Sequence, residues 1–169
     1  MTSFTMIGRV GIALILVTML SSRGLAAEPG KEVIGTVLTE LVFATDGSVE
    51  SLGKRGDDLS KEESKKLQAS KKLNFKSYRR LGNDRQPIWR AFENWSVPMK
   101  PSEELMVSFE PKGRVGKEAL RLDLKLWLQR REVLSALPVL KKGQRLYILG
   151  PKWRGGHLII GVELVDLRK

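Results

Sequence analysis

Leu120, Leu122, Leu124, Leu126 and Leu128 recur at every second position, separated by Arg121, Asp123, Lys125 and Trp127. Side chains of an extended strand point alternately to opposite faces, so this run places five leucines on one face. A helix would scatter them around its circumference. A slip of one residue would turn all five to water, so hydrophobicity alone sets the register. Such a strand needs neighbours in a sheet and a second layer over its leucine face.

The same alternation recurs elsewhere. Leu105, Val107 and Phe109 interleave with Met106, Ser108 and Glu110 between Pro101 and Pro111. Pro98 to Pro101 reads as the hairpin connection from a preceding strand, Ile88 to Val97. Ile88, Phe92 and Trp95 also fit a helical face, and the flanking Pro87 and Pro98 favour the strand. Val33 to Thr45 is rich in Val, Leu, Ile and Thr, carries a bend at Gly35, and ends at the turn pair Asp46-Gly47. Arg131 to Leu137 is a short strand or a turn of helix before Pro138. Leu146 to Leu149 and Leu158 to Val165 form the last strand pair, joined by residues 150–156.

One helix is expected. Residues 46–59 form a loop, and Ser60 then opens a helix over residues 60–73. Glu63 completes a Ser-x-x-Glu capping box, and Glu62 and Lys66 are spaced for an i,i+4 pair. Its apolar face is thin (Leu67, Ala69, Leu73), so it lies on a surface. Lys61, Lys65, Lys66, Lys71 and Lys72 read as a solvated face. The expected fold class is α+β, mainly β. It is an antiparallel β-sandwich or a partly open barrel with one short helix packed against it.

The first 27 residues have the three parts of a secretion signal. Arg9 precedes an 11-residue apolar run, Val10 to Leu20, and small residues end at Ala26-Ala27. Cleavage is expected after Ala26 or Ala27, because the run falls short of the ~20 residues that span a bilayer. Arg23 keeps an uncleaved anchor as the alternative reading. Loss of two arginines lowers the net charge from +11 to +9 for a single mainly β domain, residues 28–169. No later stretch is long and apolar enough to span. The chain has no cysteine, which excludes disulfides, a lipidated N-terminal Cys, Cys-ligated zinc and thiol catalysis. Together these features point to a bacterial exported protein, periplasmic or secreted. Asn94-Trp95-Ser96 matches a glycosylation sequon that has no meaning in a bacterium.

No catalytic constellation is visible, and no cofactor or metal is expected. His157 is the sole histidine, so histidine clusters are ruled out by count. The glycine-rich segments lack the Lys-Ser/Thr ending of a phosphate loop. Glu103-Glu104 and Asp57-Asp58 are adjacent carboxylates, but neighbours on a strand point to opposite faces.

A basic and aromatic cluster near the C-terminus is the better candidate site. Lys141, Lys142, Arg145, Tyr147, Lys152, Trp153, Arg154 and His157 fall within 17 residues that contain no acid. If residues 144–149 and 157–165 pair, Lys152, Trp153 and Arg154 sit at the hairpin tip. Arg and Lys donate to anionic oxygens and Trp adds a stacking face. The plainer alternative is that Trp153 folds onto the core and the charges only solvate the loop. A second basic run, Lys71, Lys72, Lys76, Arg79, Arg80 and Arg85, interleaves with Phe75 and Tyr78 and has the composition of an anion-binding strip. Trp127, opposite the leucine face, is either covered by another layer or open to a partner.

Residues 74–82 (Asn-Phe-Lys-Ser-Tyr-Arg-Arg-Leu-Gly), the stretch from Glu93-Asn94-Trp95 to Pro98-Met99-Lys100-Pro101-Ser102-Glu103-Glu104-Leu105, and residues 149–156 (Leu-Gly-Pro-Lys-Trp-Arg-Gly-Gly) carry a resemblance. Over residues 74–166 the chain resembles uncharacterised exported proteins of planctomycete- and verrucomicrobia-like bacteria. That resemblance implies a bacterial origin and an exported β-rich domain, and transfers no site residue. The expected function is a non-catalytic binding module for an anionic polymer, a lipid headgroup or an acidic protein surface. Export argues against a genomic nucleic-acid partner. The alternative is a structural or assembly subunit that joins other chains through a strand edge or the Trp127 face. A hydrolase built on a carboxylate pair is the third reading.

Overall fold

The computed structural model describes residues 28–50, 56–100 and 102–168. The expected signal segment, residues 1–27, lies outside them. Two antiparallel sheets face each other, and neither is closed, as in a β-sandwich. The first holds β1 (Val33–Thr45), β2 (Asp57–Asp58), β3 (Ser77–Trp89), β9 (Arg145–Trp153) and β10 (Gly156–Leu167) in the order β2-β3-β1-β10-β9. The second holds β4 (Asn94–Ser96), β5 (Leu105–Arg114), β6 (Ala119–Leu128) and β7 (Arg131–Ala136) in sequence order, with β8 (Val139–Lys141) also on β6. No helix among the described residues is long and apolar enough to cross a membrane.

The leucine run is β6, and Leu120, Leu122, Leu124 and Leu126 are buried in the space between the sheets. They meet Val107 and Phe109 of β5, Val37 and Leu41 of β1, and Leu158, Ile160, Val162 and Leu164 of β10. Each such side chain removed from water stabilises the fold by roughly 1.5–3 kcal/mol, which makes this core the main driving force. The two sheets are joined along one side by polar groups. Thr39 and Ser96 hydroxyls share a hydrogen bond, and Asp84 accepts from the Val97 backbone N–H at 2.8 Å and pairs with Lys100 at 2.7 Å.

Strand β1 is buried on both faces. Its outer side carries Val42 and Ala44, covered with Ile159 and Tyr78 by helix α1 (Lys61–Gln68) through Leu67 and by Leu73. The capping box is present: the Glu63 N–H donates to the Ser60 hydroxyl, and the Ser60 backbone N–H donates to the Glu63 carboxylate. The helix ends earlier than periodicity predicts, at Gln68, and residues 70–73 continue as turns that set Leu73 under it. The expected bend at Gly35 falls where β1 shifts register, and a Cβ there would lie 2.7 Å from the Asp166 carbonyl oxygen.

Three expectations change. The stretch 88–97 is not one strand: Ile88 and Trp89 end β3, residues 90–93 turn, and β4 belongs to the opposite sheet. The Ile88–Phe92–Trp95 periodicity reflects this crossing. Also, β5 does not stop at Pro111 but runs to Arg114. There β4 no longer pairs with β5, so the missing proline N–H costs no ladder bond on that side. Part of the expected 46–59 loop is the short strand β2.

Candidate functional site at the hairpin ends

The eight residues of the basic and aromatic cluster do not form one patch. Lys141 ends β8 in the second sheet, Lys142 follows it, and Arg145 opens β9. Lys152 and Trp153 close β9, Arg154 is in the turn and His157 is on β10. At about 3.3 Å per residue, the ends of β9 lie roughly 26 Å apart. Nearness within 17 residues of sequence suggests one patch, but an extended strand carries its two ends apart.

At its first end, Arg145 is held in an ion-pair network. It reaches Glu40 at 2.6 Å and Glu163 at 2.9 Å, with Glu63 at 3.8 Å. Arg80 reaches the buried Glu40 and, at 2.7 Å, Glu63. Burial would lower both guanidinium pKa values, but the facing carboxylates outweigh it and raise them. Burial would likewise raise the Glu63 carboxyl; hydrogen bonds from Ser60 and the Arg80 charge instead hold it below its usual value. A cavity of about 510 Å³ lies beside this network, lined by Lys66, Gly143, Gln144, Tyr147 and members of the network. Burial pushes the Tyr147 phenol up. Three carboxylates against two arginines leave these guanidinium groups committed, so neither is a free anion donor. Sequence reasoning did not identify this network. The available signal was Glu40 itself, a lone acid inside the apolar run of β1, because a buried charge requires a partner.

The second end differs. Trp153 pairs with Gly156, and Arg154 and Gly155 make a two-residue turn with φ of 46° and 79°. Two left-handed residues define a type I′ turn, the geometry that matches hairpin twist. Glycine enters that region freely, whereas an L residue such as Arg154 costs about 1 kcal/mol. Trp153 turns inward, as the plainer sequence reading anticipated. Its ring meets Phe43 edge-on at 5.9 Å and its Nε1–H donates to Glu104 at 3.1 Å. The Arg154 guanidinium lies 4.5 Å from the indole centroid. Trp153 is therefore a fixed base on which Arg154 rests.

Lys152 and Arg154 are exposed, and among the described residues neither has a carboxylate within ion-pair distance. They line a shallow cavity of about 450 Å³ with Trp153, Gly155, Gly156 and His157. His157 faces Phe75 at 5.3 Å between centroids, and Phe75 meets Tyr78 edge-on. Strand register explains this meeting: Ala44 is opposite both Tyr78 and His157, and His157 is opposite Lys152. The second basic run is not a strip. Lys71, Lys72 and Lys76 are exposed ahead of β3, Arg80 belongs to the buried network, Arg79 lies 3.4 Å from Asp58, and Arg85 is exposed further along β3.

The other candidates resolve separately. Asp57 and Asp58 are neighbours on β2 and so face opposite ways. Glu104 is engaged by Trp153. Trp127 lies on the outer face of the second sheet, 5.5 Å from Trp95, and its Nε1–H donates to Ser108. No protein-family model, curated protein or solved structure matches this chain.

Proposed function

We propose that this protein is an exported, non-catalytic binding module that captures an anionic partner at the β9–β10 hairpin tip. The observation that carries this reading is the pair of exposed cations Lys152, on the last turn-flanking stretch of β9, and Arg154, in the turn itself, neither with a carboxylate partner among the described residues. Trp153 is anchored between Phe43 and Glu104, and Arg154 is stacked on it, so part of the ordering cost of binding is met before any ligand arrives. The net charge of +9 on residues 28–169 adds long-range attraction for an anion. Residues 1–27 read as a secretion signal, and on that reading an envelope or extracellular polyanion is the expected partner.

The test is retention of residues 28–169 on a heparin column across a salt gradient, with a Lys152→Glu/Arg154→Glu variant alongside. A cation exchanger of matched charge density serves as reference and circular dichroism checks folding. The variant should lose more retention on heparin than on the exchanger. Equal losses on both columns would mean that the positive charge is diffuse and that no tip site exists.

A second reading, an assembly subunit, has its own support. Val139 and Leu146, exposed at 42% and 36%, line one shallow cavity beside the free edge of β9. A salt-insensitive oligomer in size-exclusion chromatography would favour it.

A further inference from the structure

The β9–β10 tip is not the only turn that carries an arginine in a left-handed conformation. In the second sheet, Leu128 pairs with Arg131, and Gln129 and Arg130 form the connecting turn with φ of 49° and 64°. This is again a type I′ turn, whose favoured residues are Asn, Asp and Gly. Gln129, Arg130 and Arg154 are the non-glycine residues with positive φ among those described. Two of the three are arginines, one on each sheet.

Both turns lie at the same end of the sandwich, and one residue ties them together. The Glu104 carbonyl accepts from the Gln129 N–H at 2.8 Å, while the Glu104 carboxylate accepts from Trp153 Nε1–H at 3.1 Å. Arg154 rests on that same indole. Arg130 and Arg131 are exposed, and like Lys152 and Arg154 they have no ion-pair partner among the described residues. Packed sheets stand about 10 Å apart, which sets the scale of the gap between the two cationic turns. A single small anion does not bridge such a gap; a chain with repeated negative groups does.

We infer that the two arginine turns together form one bipartite site for a linear acidic polysaccharide, held at Lys152 and Arg154 on one sheet and at Arg130 and Arg131 on the other. The inference rests on the tip reading above and adds to it a second contact and a ligand class. A guanidinium fork matches carboxylate or sulfate oxygens in pairs, and an exported protein meets anionic glycans more than nucleic acid. Strain held at a turn is accounted for when the residue that bears it makes the contact.

The strain also supplies a clean experiment. Arg154→Asn creates Asn-Gly and Arg130→Gly creates Gln-Gly, both better suited to a type I′ turn than the native pairs. Neither change should destabilise the fold, so lost binding cannot be attributed to unfolding. Lys117→Gln, at the β5–β6 turn on the opposite end, is the charge-matched control. Binding of a heparin dodecasaccharide and a heparin disaccharide is measured by calorimetry, with thermal melts of every variant.

For the dodecasaccharide, Arg130→Gly and Arg154→Asn should each weaken binding about fivefold, while Lys117→Gln changes it less than about twofold. The disaccharide, too short to reach both turns, should respond to Arg154→Asn alone. If Arg130→Gly behaves like the control while Arg154→Asn weakens binding, the tip site stands and the bipartite site is wrong. If neither differs from the control, both readings fall. Tighter binding of a single-stranded oligonucleotide of equal charge than of the dodecasaccharide would overturn the glycan assignment.

Discussion

Strand β9 begins with one arginine and ends beside another, and the two have opposite fates. Arg145 is drawn onto the outer face of the first sheet, where Glu40, Glu63 and Glu163 surround it and its charge is spent on holding α1, β1, β9 and β10 together. Arg154 stands one residue past the other end, with an indole beneath it and no carboxylate beside it among the described residues. Two residues of identical chemistry, nine positions apart, thus divide into a structural ion pair and an available donor. Composition and local charge cannot separate them, because the partners of Arg145 come from β1, α1 and β10.

The comparison can be broken most forcefully at Arg145. An Arg145→Met substitution leaves the buried Glu40 with Arg80 alone and Glu163 without its guanidinium. Because removing one partner of a buried pair strands the other charge, we expect a loss of about 3 kcal/mol in urea unfolding. A loss under half of that would mean the network is solvated and the contrast with Arg154 is overstated. Replacing the whole group with apolar residues should cost far less, since no charge is then left unpaired.

Acid gives a smaller effect on the same side. Glu63 and Asp84 both have carboxyl pKa values held below their usual range. For Asp84, burial pushes upward, but Lys100, Gln86 and the Val97 N–H outweigh it. In that window the unfolded chain binds more protons, so stability is full above the unfolded carboxyl pKa and falls as pH drops through the folded values. The urea midpoint should therefore fall between neutral pH and about pH 3, where carboxylates protonate. A Glu63→Gln/Asp84→Asn variant should lose less over the same range. An identical slope for the variant would show that other carboxylates dominate.

At the tip the sign reverses. Relief of left-handed strain should make Arg154→Asn and Arg130→Gly each more stable by about 0.5–1 kcal/mol, read as a rise in Tm. A fall in Tm on Arg154→Asn would indicate that the contact with Trp153 contributes more than the strain costs. Smallest of all, Lys117→Gln on an exposed turn should stay within about 0.5 kcal/mol of the parent.

Much of the fold was readable because hydrophobic periodicity is a local signal. The five leucines, the Leu105–Phe109 alternation and the Val33–Thr45 run each became a strand, and Ser60 and Glu63 capped the helix as their spacing required. The β6–β7 turn was missed for an equally local reason: Gln129-Arg130 contains none of the residues that mark a tight hairpin. Strand β3 was obscured in the same way, since Arg79, Arg80, Asn83, Asp84 and Arg85 make it polar on a scale where strands are expected to be apolar. Arg79, Arg80 and Asp84 are paired with Asp58, Glu40, Glu63 and Lys100, which lie far away in sequence, and Arg85 is exposed.

The candidate site was half legible. The tip residues Lys152, Trp153 and Arg154 were recognised from glycine-bounded basic sequence, and they do occupy the end of a hairpin. Arg145, Tyr147, Lys141 and Lys142 were grouped with them because they are near in sequence, and an extended strand carried them to the other end. Arg130 and Arg131 escaped notice because no glycine brackets them and the acid Glu132 follows directly. Alternation, capping and turn chemistry are settled within a few residues, so the sequence alone determined the β-rich class, the buried leucine face and the helix start. Which arginines are neutralised, which tryptophan is pinned, and which two turns share an end depend on pairing between distant strands. Only the tertiary structure decided those, because electrostatic partnership is a matter of distance in space.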